Sequence, residues 1–374
     1  MTAPLERARA IGPQLRSSSD EAEALRRLPA AVVALLADNG FFKLGLPEQY
    51  GGGELDPVAF IEVIDELARN DAAAAWCSMI ASTTAPMAAY LPASDAEEIY
   101  GGDPRTVTGG AIAPSGVGRS VDGGFVVSGR WQWGSGTQHC QWICGGTIVD
   151  ERDFRLVFFP AADVEILDTW FSSGLRGTGS TDFSVSELFA PAGRAVPIGQ
   201  GRAPRIDRPL YRFPLFSLLS LAVASVCLGI ARRAIEELVE LAEVKTPAFA
   251  SRRLAKSTMA QVDVARAEAA LGSARAFLLD EVGATWADVL DGREISMERR
   301  ARIRLAATNT GVRCAEAVDF AYNTGGGSSV YTSSPLQRCF RDIHTATQHL
   351  MVSPRGYEVF GRHLLGLPLD GAMI

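Results

Sequence analysis

Hydrophobic positions change their spacing twice along the chain. Over residues 1–103 apolar side chains recur every three or four residues, and 22–36 is one such run. This spacing puts them on one side of an α-helix, so it predicts helices. Asp56-Pro57 is a typical helix start, because aspartate caps free N–H groups and proline fits the first turn. Further helices are predicted over 57–70 and 72–91, with Ser94 as a candidate N-cap of a short one.

From Thr106 the pattern becomes one of short alternating runs separated by glycines. Phe125, Val126 and Val127 form such a run, bounded by Gly-Gly and Ser-Gly, which is typical of a strand between turns. The clearest hairpin turn is Asp122-Gly123-Gly124. About six to eight strands in this region predict a small β-barrel or a pair of packed sheets.

Helical spacing returns for the rest of the chain, over 216–244, 260–290, 296–323, 336–351 and a final segment 354–365. The apolar run 215–231 is slightly short for a membrane span and contains serines, so we expect a helix buried in a bundle. The predicted fold is α+β and multidomain. It has an N-terminal helical domain (1–103), a middle β domain (104–205) and a C-terminal four-helix bundle (206–374).

Composition narrows the class of protein. With 47% hydrophobic and 21% charged residues, the 374-residue chain is that of a globular protein. A net charge of −7 with dispersed basic residues argues against nucleic-acid binding. Six scattered cysteines contain no CxxC pair, so we expect reduced thiols and no metal site. The first ten residues lack an apolar core, so we expect a cytoplasmic protein without a signal peptide.

The strongest chemical signal is the stretch 324–349, TGGGSSVYTSSPLQRCFRDIHTATQH. A glycine run allows close backbone approach to a ligand, and a helix N-terminus binds anions. Arg341 and Asp342 follow on the predicted helix, with His344 and His349 behind them. Physical chemistry alone favours a phosphate-bearing cofactor here. The alternative is an ordinary helix cap and turn with surface arginines.

Three segments resemble the acyl-CoA dehydrogenase fold family in order and spacing. They are GRWQWGSG (129–136), GLRGTGSTDFSVSELFAP (174–191) and the glycine-rich stretch ahead of Arg341-Asp342. The resemblance covers nearly the whole chain. It implies a flavin between the β domain and the bundle, and a homotetramer in which a neighbouring subunit completes each flavin site.

The chain departs from the dehydrogenases at the catalytic base. A dehydrogenase removes an α-proton with a carboxylate, which in that family follows the Arg-Asp pair by two helical turns or lies on the first bundle helix. Here the first position holds His349, and the next acid is Glu358. The other position is also empty, because 215–235 contains no acid. A dehydrogenase or related flavin oxidase would need an unusual base.

RDIHTATQH (341–349) instead resembles the two-component flavin-dependent monooxygenases of the same fold, which include p-hydroxyphenylacetate hydroxylase, secosteroid phenol hydroxylase and dibenzothiophene monooxygenase. This resemblance implies that a separate NAD(P)H:flavin reductase supplies reduced FMN or FAD. It further implies that O2 forms a flavin C4a-hydroperoxide, which hydroxylates an aromatic or phenolic substrate. A non-enzymatic scaffold of the same fold is the third alternative.

The resemblance also implies roles for individual residues. His349 would donate to the peroxide or take a phenol proton, since imidazole titrates in the right range. Ser135 and Ser180 would contact the flavin ring, one of them near N5, and His139 would line the pocket. The alternatives are a structural helix histidine and ordinary turn serines. His344 lies five residues from His349, so it points to a different helix face.

Further residues are expected to bind the cofactor by the same resemblance. Trp131 and Trp133 alternate on one predicted strand and so face the same side, where one packs on the flavin or in the core. By the same resemblance, Arg252 or Arg253, ahead of the helix predicted over 260–290, is expected to reach a neighbouring subunit's flavin phosphate. The expected cofactor-binding residues, in addition to the two serines, are Trp133, Thr178, Gly325, Gly326, Arg341 and Arg252.

Overall fold

The computed structural model describes residues 3–199 and 203–369. Helices occupy the chain up to Tyr100, strands run from Thr108 to Pro197, and helices resume at Pro209. The predicted order of a helical unit, a β unit and a helical bundle is therefore confirmed. The exact domain boundaries after residues 103 and 205 stay predictions.

Five α-helices build the N-terminal unit. The Asp56 carboxylate caps the third, accepting hydrogen bonds from the N–H groups of Val58 (3.0 Å) and Ala59 (2.9 Å), as predicted. The buried face of that helix carries Phe60 and Ile64, at the four-residue spacing of a core-facing stripe. The helices are α1 (Pro4–Leu25), α2 (Ala30–Asp38), α3 (Pro57–Asn70), α4 (Ala72–Thr84) and α5 (Ala93–Tyr100).

Three predicted boundaries in this unit are wrong. The run 22–36 is two helices, because Arg26 takes a left-handed conformation (φ 53°) and Pro29 then precedes α2. The helix predicted over 72–91 ends at Thr84, where a 3-10 turn containing Pro86 begins. Ser94 lies inside the first turn of α5, whose N-cap position is Pro92.

The β unit is one seven-stranded sheet in the order β5-β6-β2-β1-β3-β4-β7. β1 and β3 are parallel and every other pair is antiparallel. Asp122-Gly123 connects β1 to β2 as predicted, with Gly123 in the left-handed region at φ 75°. The strands are β1 (Thr108–Val121), β2 (Gly124–Gly134), β3 (Trp142–Val149), β4 (Asp153–Pro160), β5 (Glu165–Leu167), β6 (Thr181–Pro191) and β7 (Ala195–Pro197).

A bulge at the end of β2 separates its two tryptophans. The register between β2 and β6 shifts between Trp131 and Gly134, and Trp133 has a φ of 61°. Trp131 is fully buried and stacks on Phe183 with 5.1 Å between ring centroids, whereas Trp133 is 66% exposed. The prediction that both face the same side is therefore wrong, because strand alternation does not survive the bulge.

The C-terminal helices form a bundle around α7, which packs against α3, α9 and α10. By length and composition α7 is apolar enough to cross a membrane, but 78% of its most apolar window is buried inside the protein. It is a core helix, as the sequence predicts. The helices are α6 (Pro209–Arg212), α7 (Leu215–Val244), α8 (Thr258–Leu290), α9 (Met297–Gly325), α10 (Pro335–Ala346) and α11 (Gly356–Leu364).

Candidate functional site

The antiparallel pairing of β2 with β6 brings two predicted site serines together. Gly134 pairs with Thr181, so Ser135, just after β2, lies beside Ser180, just before β6. Their Oγ atoms are 2.6 Å apart, and each residue is 4% exposed. Two hydroxyls at this distance share a hydrogen bond, so the serines act as one polar unit.

Thr178 and Trp76 extend this pair at its two ends. The Thr178 hydroxyl lies 2.6 Å from Ser180 Oγ and 2.8 Å from the carbonyl oxygen of Leu175. At the other end, the indole N–H of Trp76 donates to Ser135 Oγ over 3.0 Å. We call Ser135, Ser180 and Thr178 the hydroxyl chain. The sequence analysis did not predict Trp76 as a site residue, because nothing in the alanine-rich sequence of α4 distinguishes it from a core residue.

His349 contacts Trp76 from the turn that follows α10, because this helix ends at Ala346 and the helix predicted over 336–351 is five residues too long. The two rings meet edge to face, with centroids 5.7 Å apart and 71° between planes. His349 Nδ1 accepts a hydrogen bond of 3.2 Å from the N–H of Met351, so the neutral ring carries its proton on Nε2. Burial and, second, the charge of Arg304 lower the pKa of His349 to about 4. The imidazole is neutral at physiological pH.

Arg304, on α9, is a buried cation without a carboxylate partner among the residues that the structure describes. It is 6% exposed, and it donates to the carbonyl of Leu350 and contacts the sulfur of Met351. Its Nε and the nearby Thr308 hydroxyl have no hydrogen-bond partner within that part of the chain. Burial lowers the pKa of the guanidinium to about 10, so it stays charged. The guanidinium of Arg304 therefore places a positive charge against the two residues that follow His349.

His139 lies near Ser135 but on the α4 side. Its ring packs against Phe42 with centroids 5.4 Å apart, and a Cβ built at Gly136 would lie 3.0 Å from its Cε1 and 3.6 Å from Cys77 Sγ. Burial lowers the pKa of His139 to about 4, so this imidazole is also neutral. Trp76 and Cys77 adjoin in α4, so one helix contacts both histidine environments.

His344 does not belong to this cluster. Its Nε2 lies 2.9 Å from a carboxylate oxygen of Asp319, and its ring packs on Phe340 with centroids 4.5 Å apart. The expectation that it points away from His349 agrees with these contacts. Glu358 is 71% exposed on α11 and faces Arg362, so it does not replace the missing carboxylate base.

The Arg341-Asp342 pair joins the three units of the chain. Arg341 forms an ion pair with Glu23 of α1 and donates to the carbonyl of Ser173 over 2.6 Å. Asp342 accepts a hydrogen bond of 2.6 Å from the N–H of Leu175. Gly174 permits this approach, because a Cβ there would overlap the backbone of Arg341. Both side chains therefore hold the 174–180 turn against α10.

The glycine run ends α9 and does not begin α10. Gly325 is the last residue of α9, and its carbonyl accepts a hydrogen bond of 2.6 Å from Lys245 Nζ. Gly326 is in the left-handed region at φ 54°, while α10 begins only at Pro335. Arg252 lies exposed in the segment before α8. The contact of these three residues, and of Arg341, with a cofactor stays a prediction.

The polar groups around the hydroxyl chain suit a planar heteroaromatic ring. The Thr181 hydroxyl is buried without a hydrogen-bond partner among the described residues, next to Ser180. A cavity of about 260 Å³ opens beside it, lined by Arg26, Gln138 and Asp168 among others. Trp133 presents its exposed indole at the same end of β2. One unsatisfied hydroxyl, that of Thr181, near an exposed aromatic face fits the edge and face of a flavin.

Models of the acyl-CoA dehydrogenase N-terminal domain and C-terminal domain match residues 9–96 and 221–354. The chain is 33% identical over 361 residues to indole-3-acetate monooxygenase of Pseudomonas putida, covering 95% of this chain and 92% of that protein. It is 32% identical over 374 residues to the flavin-dependent monooxygenase oxygenase subunit HsaA of Mycobacterium tuberculosis, covering 97% and 95%. The chain belongs to the acyl-CoA dehydrogenase-like flavin-dependent monooxygenases.

Solved structures agree with this family assignment. HsaA of M. tuberculosis superposes with a TM-score of 0.92 at 32% identity, over 100% of this chain and 99% of that one. XiaF from Streptomyces sp., solved in complex with FADH2 and glycerol, superposes with a TM-score of 0.92 at 25% identity, over 98% and 95%. The predicted fold and the predicted class of flavin-dependent monooxygenase are therefore confirmed.

Proposed function

We propose that this protein uses reduced flavin and O2 to hydroxylate a small aromatic substrate. One observation carries the proposal: Trp76 joins a buried hydroxyl chain to a neutral histidine, and no carboxylate among the described residues contacts either. That set suits hydrogen bonding to a flavin and to oxygen, whereas a dehydrogenase needs a carboxylate base. The name of the P. putida relative, an indole-3-acetate monooxygenase, supports an aromatic substrate.

Reduced FMN or FAD, when bound, supplies the two electrons and the centre at which O2 is activated. The residues proposed to hold its ring are Ser135, Ser180, Thr178 and Trp133. The FADH2 complex of XiaF supports FAD, the larger of the two flavins. Gly325, Gly326 and Arg341 remain proposed contacts for the rest of the cofactor.

His349 is proposed to act as a hydrogen-bond donor through Nε2. Its pKa of about 4 makes it a poor base for a phenol, which is a far weaker acid. The same argument applies to His139, whose pKa is also about 4. Of the two roles that the resemblance implies for His349, the electrostatics support donation to oxygen over proton removal. His139 and Phe42 are proposed to line the substrate side of the site.

A separate NAD(P)H:flavin reductase is the proposed partner, because the M. tuberculosis relative is named an oxygenase subunit. We further propose a cytoplasmic homotetramer in which Arg252 reaches the flavin phosphate of a neighbouring subunit. The exposure of Arg252 in the segment before α8 supports this proposal.

Rapid mixing tests the proposed reaction. The protein is loaded anaerobically with reduced FMN or reduced FAD and then mixed with oxygenated buffer in a stopped-flow spectrometer. We expect a transient near-ultraviolet absorbance that decays before oxidised flavin appears. Immediate appearance of oxidised flavin, together with bleaching of a tightly bound oxidised FAD by an acyl-CoA, would instead establish a dehydrogenase.

Replacement of His349 tests its donor role. His349→Ala removes the Nε2–H, so H2O2 release should rise at the expense of product, with roughly a tenfold loss of coupling. His349→Gln keeps an N–H donor on a side chain of similar reach and should retain part of the coupling. Equal coupling in wild type and His349→Ala, measured as product formed per reduced flavin consumed, would refute this role.

A further inference from the structure

The hydroxyl chain has a preferred direction. The Trp76 indole can only donate, and the Leu175 carbonyl can only accept. If each hydroxyl donates toward Leu175, all four contacts are hydrogen bonds: Trp76 to Ser135, Ser135 to Ser180, Ser180 to Thr178, and Thr178 to the carbonyl. In the opposite direction the bond to the carbonyl is lost, and the Ser135 proton has no acceptor in that set.

This direction makes the serine pair an acceptor. Ser135 and Ser180 have each used their single hydroxyl proton within the chain, so each offers only a lone pair to a ligand. Thr178 causes this, because its oxygen takes the proton of Ser180 while its own proton goes to Leu175. The residue is 1% exposed, so water does not compete for these groups.

We infer that Thr178 makes the site selective for reduced over oxidised flavin. The inference rests on the proposed function and on the expected contact of one serine of the pair with flavin N5. Reduced flavin carries a hydrogen on N5 and can donate to a serine lone pair. Oxidised flavin has a bare N5 that needs a donor, so its binding requires the chain to reverse and lose a hydrogen bond. The loss of one such bond corresponds to roughly fivefold weaker binding.

Thr178→Val tests the inference by removing the acceptor for Ser180 without changing the side-chain shape. One serine proton then becomes free in either direction of the chain. We expect oxidised flavin to bind roughly fivefold more tightly or better, so that the ratio of affinities for reduced and oxidised flavin falls. The Leu175 carbonyl keeps two other donors, Trp170 Nε1 (3.1 Å) and the N–H of Thr178 (3.1 Å), so the substitution leaves it bonded.

Two variants serve as matched controls. Thr178→Ser keeps the hydroxyl and should keep the wild-type affinity ratio. Trp76→Phe removes the donor to Ser135 but leaves the hydrogen bonds of Thr178 intact. Both flavin affinities can change in this variant, but the ratio of the affinities for reduced and oxidised flavin should stay at its wild-type value. The affinities are measured by anaerobic titration with reduced FMN or FAD and by aerobic titration with the oxidised form. An unchanged ratio in Thr178→Val overturns the inference.

A flavin analogue gives the same test on the wild-type protein. Oxidised 5-deazaflavin carries C–H in place of N5 and needs no donor there. It should bind more tightly than oxidised flavin of the same side chain, and equal or weaker binding would contradict the inference. If wild type binds neither reduced nor oxidised flavin, the proposed function itself fails. If it binds reduced flavin but shows none of these differences, only the role of Thr178 fails.

Discussion

The backbone N–H of Met351, two residues after His349, decides which ring nitrogen of His349 carries the proton. The Met351 amide occupies Nδ1 at 3.2 Å, and burial then keeps the ring neutral with a pKa of about 4. The sequence motif suggested a histidine that titrates near neutrality. The structure instead favours a donor that is neutral at physiological pH, because burial and, second, the charge of Arg304 disfavour the imidazolium.

Arg304 offers a test of this electrostatic account. Arg304→Met removes the fixed charge, so the pKa of His349 should rise from about 4 but stay below 6.5, because burial is the larger cause and remains. Arg304→Lys keeps the charge and should leave the pKa near its wild-type value. The chain has four histidines, so NMR titration of histidine-labelled protein can follow each ring. No change in Arg304→Met would show that burial alone sets the pKa.

At the scale of secondary-structure elements, α10 positions two parts of the site. Its C-terminal end leads into His349, and its Asp342 holds the turn that presents Thr178. Leu175 is in the left-handed region at φ 49°, which is costly for a branched side chain. The hydrogen bond from its N–H to Asp342 fixes that conformation and so aims its carbonyl at Thr178. Asp342 of the Arg-Asp motif thus fixes the position of the Leu175 carbonyl, which accepts the last hydrogen bond of the hydroxyl chain.

Asp342 should also make stability depend on pH. Burial is the largest cause that raises its pKa, to about 7; the Leu175 N–H opposes this and the charge of Asp71 adds to it. A raised pKa in the folded state means that the unfolded chain loses the proton first, so this residue's contribution to stability falls as pH rises from about 4 to about 7. Asp342→Asn removes that contribution. The Tm of wild type should therefore fall relative to the Tm of Asp342→Asn as the pH rises from about 4 to about 7.

Thermal unfolding followed by circular dichroism at half-unit pH steps measures this difference. Glu23→Gln is a suitable comparison. Burial raises the pKa of Glu23, but hydrogen bonds and charges from Arg341 and Arg338 outweigh it and lower the pKa. Its effect on pH-dependent stability should have the opposite sign. Parallel Tm curves for wild type and Asp342→Asn would show that Asp342 does not titrate in this window.

For the whole molecule, exposed apolar residues mark the surface expected to meet other subunits. Val244, Phe249 and Met259 are exposed around the segment that joins α7 to α8, and Arg252 lies among them. Apolar side chains grouped on a surface are typical of interaction sites. This grouping supports the proposal that Arg252 serves a neighbouring subunit.

Phe249→Asp should weaken assembly. Light scattering after gel filtration is expected to give about four times the 39.9 kDa chain mass for wild type and a smaller mass for the variant, because the new charge would be buried at the contact. Val117→Asp places the same charge on an exposed apolar site of the β unit and should leave the mass unchanged. If Phe249→Asp keeps the wild-type mass, this segment is not part of the interface.

The sequence by itself determined the order of helical and β units, the start of α3 at Asp56-Pro57 and the hairpin at Asp122-Gly123. These features depend on residue spacing and on local capping and turn chemistry, which neighbouring residues settle. The motifs around Ser135, Ser180 and Arg341-Asp342 also sufficed for the family, because their order along the chain is a property of the sequence.

Only the tertiary structure decided how these residues work together. Trp76 meets Ser135 across 59 residues, and Arg341 finds its acid in Glu23 of α1. Neither contact has a local signal, since both follow from how separate units pack. The exposure of Trp133 depends on a bulge in the sheet, and the neutral state of His349 depends on burial. Distances and desolvation arise only when the chain is folded, and they decide the chemistry of this site.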